Sequence, residues 1–101
     1  MKRKVVLSKR AKIKLDNLLL FLETEWSLSV KNEFIEKLDR TLQIIQNNPE
    51  SFPKTQVLTG VHKCVVTKQN TLYYRFTESS IEIVTLFDSR QDPHKLRKEI
   101  K

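Results

Sequence analysis

Four basic side chains are the residues of this chain best suited to chemistry. Lys63, Arg75 and Arg90 are cationic, and His94 carries an imidazole that can give or take a proton. Cations of this kind can hold nucleic-acid phosphate and stabilise negative charge that develops at phosphorus. A histidine beside them could exchange a proton in such a reaction. Other chemistries lack their residues. A single glycine, Gly60, rules out a Gly-rich phosphate loop. One cysteine, Cys64, rules out an internal disulfide, and with only His62 and His94 beside it a structural zinc site is not expected. Glu23 and Glu25 are two apart on a helix pattern and do not face each other. No Ser/His/Asp signature is visible. Neither a metal nor a cofactor is expected.

The elements that must position these cations are concentrated between Val61 and Arg90. Three runs rich in β-branched and aromatic residues follow one another there, His62–Thr67, Thr71–Thr77 and Ser80–Phe87. Polar connectors at 68–70 and 78–79 make a three-stranded antiparallel meander the simplest arrangement. Strict alternation in the last strand places Ile81, Ile83, Thr85 and Phe87 on one face and Glu82, Val84 and Leu86 on the other. That strand is therefore apolar on both faces, as a central strand is. In the first two strands, Lys63 and Arg75 fall on positions that can share an open face and form a common cationic surface. Cys64 reads as a buried thiol.

The earlier part of the chain reads as a short strand and a helical hairpin. Lys4–Leu7 is a strand, and Ser8 is the N-cap of the first helix. Ile13, Leu15, Leu18, Leu19, Phe21, Leu22 and Trp26 make that helix apolar over a wide arc, which predicts burial on more than one side and a packed Trp26. Its first turns carry Lys9, Arg10, Lys12 and Lys14, which oppose the helix dipole and are therefore candidates to face a partner. The second helix starts near Ser27 or Ser29 and ends before Pro49. Its core stripe is Val30, Phe34, Leu38, Leu42 and Ile45. An irregular link covers residues 50–60, in which Gln56–Leu58 could extend the sheet edge. The predicted architecture is a single α+β domain over 1–101. Its order is β-α-α-β-β-β, with a mostly antiparallel four-stranded sheet, an antiparallel helical hairpin on one face and a short basic C-terminal tail. The first strand should lie beside the last, parallel to it, because each needs an apolar neighbour.

The chain has 101 residues and a net charge of +7. The charge is uneven: +7 over residues 1–14, −4 over 15–50 and +4 over 51–101. This pattern favours an acidic partner, whether nucleic acid or protein. No run is long and apolar enough to span a membrane, and no apolar stretch follows the basic start to make an export signal. A cytoplasmic protein is expected.

Taken in order, several pieces carry a family resemblance over roughly residues 3 to 96. They are Val6-Leu7-Ser8 with Ala11 and Leu15, Trp26 before the second helix, and Asn48-Pro49 after it. Tyr74-Arg75-Phe76 follows on the middle strand, and then the run from Ile83 to Pro93. The sequence resembles the RelE/ParE superfamily of toxins from bacterial type II toxin–antitoxin modules. The resemblance implies the β-α-α-β-β-β fold and neutralisation by a cognate antitoxin that is acidic where it wraps the toxin. It also implies one of two targets. RelE-like members cleave messenger RNA in the ribosome, and ParE-like members inhibit DNA gyrase. The closing Arg90–Leu96 segment is more similar to the ParE-like, plasmid-stabilisation branch, so growth inhibition through gyrase is the first expectation. The alternative is a ribosome-dependent endoribonuclease, in which Lys63, Arg75 and Arg90 contact phosphate and His94 supplies the acid. A passive nucleic-acid-binding module is a third reading. Two departures mark the sequence. No tyrosine follows Tyr74, where many of the nucleases have one, and Asp88 stands where a histidine is common.

Overall fold

The computed structural model describes residues 2–56, 59–91 and 93–99. Strand β1 (Lys4–Leu7) leads through Ser8 into helix α1 (Lys9–Glu25), and helix α2 (Leu28–Asn47) returns antiparallel to it. A single 3-10 turn (Pro49–Ser51) and a link precede β2 (His62–Thr67), β3 (Asn70–Phe76) and β4 (Ser80–Asp88). A short helix, α3 (Pro93–Glu99), follows. The strand order is β1-β4-β3-β2. β1 runs parallel to β4, with Val5 opposite Ile81, and the other pairs are antiparallel. The apolar last strand is thus central, and it lies beside the first.

Ser8 couples local to tertiary structure. Its hydroxyl oxygen accepts from Ala11 N–H at 3.0 Å and so caps α1. The same hydroxyl donates to the Val84 carbonyl at 2.7 Å. Val84 is the extra residue of a bulge, since Tyr73 pairs with Thr85 while Tyr74 pairs with Ile83. The bulge corrects the alternation expected for β4. Ile81, Ile83 and Leu86 join the core beneath the helices, with Phe34, Ile45, Cys64, Leu72 and Tyr74. Val84 and Phe87 turn to the opposite face.

Ser27 caps α2, accepting from Val30 N–H at 3.1 Å. Gln46 of α2 donates to the Arg3 carbonyl at 2.8 Å and ties the helix end to the start of β1. Tyr74, fully buried, donates its hydroxyl to the Pro49 carbonyl at 2.7 Å. His62 stacks on Tyr74 with ring centroids 5.4 Å apart, and its Nδ1 donates to the Phe52 carbonyl at 2.8 Å. These bonds hold the link against the sheet. Lys54 bridges His62 at the sheet edge. The edge extension therefore begins before Gln56, and Val57 and Leu58 lie outside the described residues.

Two expectations about the hairpin are overturned. Only Ala11 of α1 is buried, whereas Leu20 is 61 % exposed and Phe21 48 %. Trp26 is 69 % exposed at the hairpin tip rather than packed. A chain of this size buries one face of each helix against one sheet, and α1 carries more apolar arc than that sheet covers. Between the hairpin and the sheet an apolar cleft of about 160 Å³ remains, lined by Val5, Leu7, Leu15, Leu38 and Leu42 among others. The expected basic tail is also more ordered than a tail. Leu96 of α3, 5 % exposed, packs with Val61, Tyr73, Val84 and Phe87 on the sheet face away from the hairpin.

Candidate functional site

The face away from the hairpin carries the candidate cations. Lys63 on β2 stands directly opposite Tyr73 on β3. Arg75 is two residues further along β3, which makes it the diagonal neighbour of Lys63 at about 7–8 Å between backbones. Arg75 in turn sits opposite Glu82 on β4, and its Nε lies 3.1 Å from the carboxylate. Lys63 is exposed and makes no ion pair among the described residues. The cationic surface expected from alternation therefore exists at Lys63 and Arg75, but Glu82 neutralises half of it. Both members of the Arg75–Glu82 pair are about half exposed, at 48 % and 47 %. Such a pair contributes about 0–1 kcal/mol, so an incoming anion can displace Glu82 at little cost.

Arg90 belongs elsewhere. It lies beyond the far end of β4, six residues from Glu82 to Asp88, or about 20 Å along the strand. Asp88 holds it with both carboxylate oxygens. Arg90 Nη2 donates to Oδ2 at 2.7 Å, Nε donates to Oδ1 at 3.0 Å, and the Arg90 N–H donates to Oδ1 at 2.9 Å. These bonds hold the Asp88 carboxyl below the usual carboxylate range, the side-chain bond to Arg90 contributing most and the Lys14 charge adding to it. Lys14 of α1 lies 5.0 Å from the centre of the Phe87 ring, beside this end of the sheet. Asp88 is thus the carboxylate that fixes Arg90 at this end of the sheet. His94 lies on α3, exposed, two residues before the buried Leu96. The structure brings Lys63 and Arg75 together and leaves Arg90 apart from them.

Sequence reasoning missed two members of this face, Tyr73 and Glu82. Tyr73 is 7 % exposed beneath Leu96, and burial raises its hydroxyl above the ordinary tyrosine value, so it keeps its proton at neutral pH. It can donate a hydrogen bond but not act as a base. The signal was present in the parity of β3, because Tyr73 and Arg75 are two apart. Glu82 was legible only once the bulge at Val84 set its register against Arg75. Cys64 is a buried thiol pushed up to about 11 by desolvation, which makes it unreactive at neutral pH. Among the described residues, no three metal-ligating side chains converge.

No protein-family model and no curated protein matches this chain. Solved structures do. The chain is similar to one from the chromosomal ParDE toxin–antitoxin system of P. aeruginosa, with a TM-score of 0.71 at 10% identity, covering 86% of this chain and 96% of that one. It is similar to the YoeB dimer from Staphylococcus aureus, with a TM-score of 0.63 at 16% identity and coverage of 86% and 97%. It is also similar to the E. coli DinJ-YafQ toxin-antitoxin complex, with a TM-score of 0.60 at 14% identity and coverage of 89% and 96%. At these identities the likeness establishes the fold, which is that of the RelE/ParE/YoeB toxins.

Proposed function

We propose that this protein is the toxin of a bacterial toxin–antitoxin module, that a cognate antitoxin neutralises it, and that it acts in the cytoplasm by cleaving messenger RNA at the ribosome. The observation that carries this reading is the agreement of the chain, from β1 through the meander, with structures of YoeB and YafQ toxins. YoeB–YefM and DinJ–YafQ are solved as complexes, which supports an antitoxin partner here. The apolar cleft between hairpin and sheet offers such a segment a dry seat, and the basic chain ends attract its acidic residues.

The open sheet face supplies the chemistry. Lys63 contacts the scissile phosphate. Arg75 exchanges Glu82 for a phosphate oxygen, a stronger, charge-assisted partner. Glu82, released, takes the proton of the ribose 2′-hydroxyl as the 2′-oxygen bonds to phosphorus. Lys63 and Arg75 then stabilise the charge that builds on the phosphoryl oxygens. The bond to the 5′-oxygen breaks, and that oxygen takes a proton from His94, on a helix anchored by Leu96 to Tyr73.

Gyrase inhibition, the first expectation from the sequence, is the second reading. It is favoured by the TM-score of 0.71 to the ParDE structure, above the 0.63 and 0.60 found for YoeB and YafQ. One experiment separates the two. Purified protein is incubated with programmed ribosomes carrying messenger RNA, and separately with gyrase in a supercoiling assay. Cleavage only with ribosomes is expected, and Lys63→Ala and Glu82→Gln should each reduce its rate by roughly 10²-fold or more. Inhibition of supercoiling without cleavage would replace the target.

A further inference from the structure

The side of α1 that faces away from the sheet is apolar and uncovered. Ile13 and Leu20 are 53 % and 61 % exposed, the latter the most exposed large hydrophobic residue on α1. They are seven residues apart, two turns or about 10 Å along the axis. Both stand about 180–200° around the helix from the buried Ala11. The charges on α1 are divided lengthwise. Lys9, Arg10, Lys12 and Lys14 occupy its first half with no acid among them, and Asp16, Glu23 and Glu25 occupy the rest with no base. The cations oppose the dipole of their own helix at its N-terminus, and the acids oppose it at the C-terminus.

We propose that this surface binds a second copy of the chain, with the two α1 helices antiparallel about a two-fold axis near Asp16 and Asn17. In that arrangement Ile13 of each copy meets Leu20 of the other. Glu23 of the second copy falls level with Arg10, between Lys9 and Lys12 on the same flank of the pair. Each basic half then lies along an acidic half, and each helix end meets the opposite end of its neighbour's dipole. Glu23 already bonds Lys31 of α2 at 2.8 Å yet stays 43 % exposed, so it remains open to a further cation. A parallel pair would set the basic halves side by side. An acidic partner would suit only the first half of α1. A chain with the same charges in reverse order suits its whole length, and the second copy supplies one. The net charge of +7 on each copy opposes association, which makes the local pairing decisive.

Sedimentation equilibrium of the purified free protein tests this. The expected mass at high concentration is twice 12.0 kDa. Leu20→Asp, at a position that the single chain leaves exposed, should weaken the dimer by at least about 10-fold while far-UV circular dichroism stays unchanged. Should Leu20→Asp unfold the chain, the charge variants decide. Lys12→Glu should weaken the dimer, and adding Glu23→Lys to it should restore association. A monomer at every concentration would overturn the proposal. So would a dimer whose dissociation constant none of these substitutions moves, or one that Lys12→Glu weakens and Glu23→Lys fails to rescue.

Discussion

At the scale of single residues, the two large aromatics Tyr74 and Trp26 occupy opposite extremes. Tyr74 has no exposed surface, and its hydroxyl satisfies the carbonyl of buried Pro49. Tyr74→Phe leaves that carbonyl without its partner while preserving the ring, and should cost about 1–3 kcal/mol in denaturant unfolding. Trp26 has little to lose. Trp26→Ala, at 69 % exposure, should change stability by no more than about 0.5 kcal/mol in the same titration. A Trp26 loss comparable to that of a core aromatic would mean that the hairpin tip is covered in solution. The same contrast separates the cations. Lys63 is open, Arg75 is held by an exposed carboxylate that an anion can replace, and Arg90 is held by four hydrogen bonds to Asp88.

At the scale of elements, the junction of β1 with α1 is the critical one. β1 is only four residues long and pairs with the first half of β4, so the second half of β4 has α1 rather than a strand beside it. Ser8 makes that transition in one residue. Its N–H donates to the Ile83 carbonyl at 3.0 Å, its hydroxyl donates to Val84, and its oxygen caps the helix. Ser8→Ala removes the cap and also leaves the bulge carbonyl unsatisfied. The expected loss is about 2 kcal/mol, at the upper end of the range for a helix cap, read as a shift in the midpoint of thermal or denaturant unfolding. Ser8→Thr keeps the oxygen and should recover most of it. A Ser8→Ala loss of only a few tenths of a kcal/mol would show that the bond to Val84 contributes nothing.

At the scale of the whole molecule, charge governs encounter. The acidic stretch over residues 15–50 lies between cationic chain ends, and the net charge is +7. Association with the proposed antitoxin, if its toxin-binding segment is acidic, should therefore be fast at low salt and slow steeply as salt rises, with the dissociation rate changing less. Stopped-flow mixing with a purified cognate antitoxin reads both rates. An association rate indifferent to salt would remove electrostatic steering from the description of this pair.

Local pattern was enough to place most of the chain. The β-branched runs of the meander, the Ser8 and Ser27 caps and the Pro49 stop are short-range signals, and the strands and helices begin and end within about a residue of where those signals put them. The need of apolar β4 for neighbours on both sides placed β1 beside it, because an unpaired apolar edge is costly. Three matters were decided only by tertiary structure. The bulge at Val84 reverses the facing of β4 midway, and no side-chain pattern announces one extra residue. The arc of α1 that is buried depends on how much sheet lies beneath it, so Ile13, Phe21 and Trp26 read as core in the sequence and stand in solvent in the single chain. The grouping of Lys63 and Arg75 apart from Arg90 follows from register and strand length, which set the backbones of Lys63 and Arg75 about 7–8 Å apart and put about 20 Å of β4 between Glu82 and Asp88.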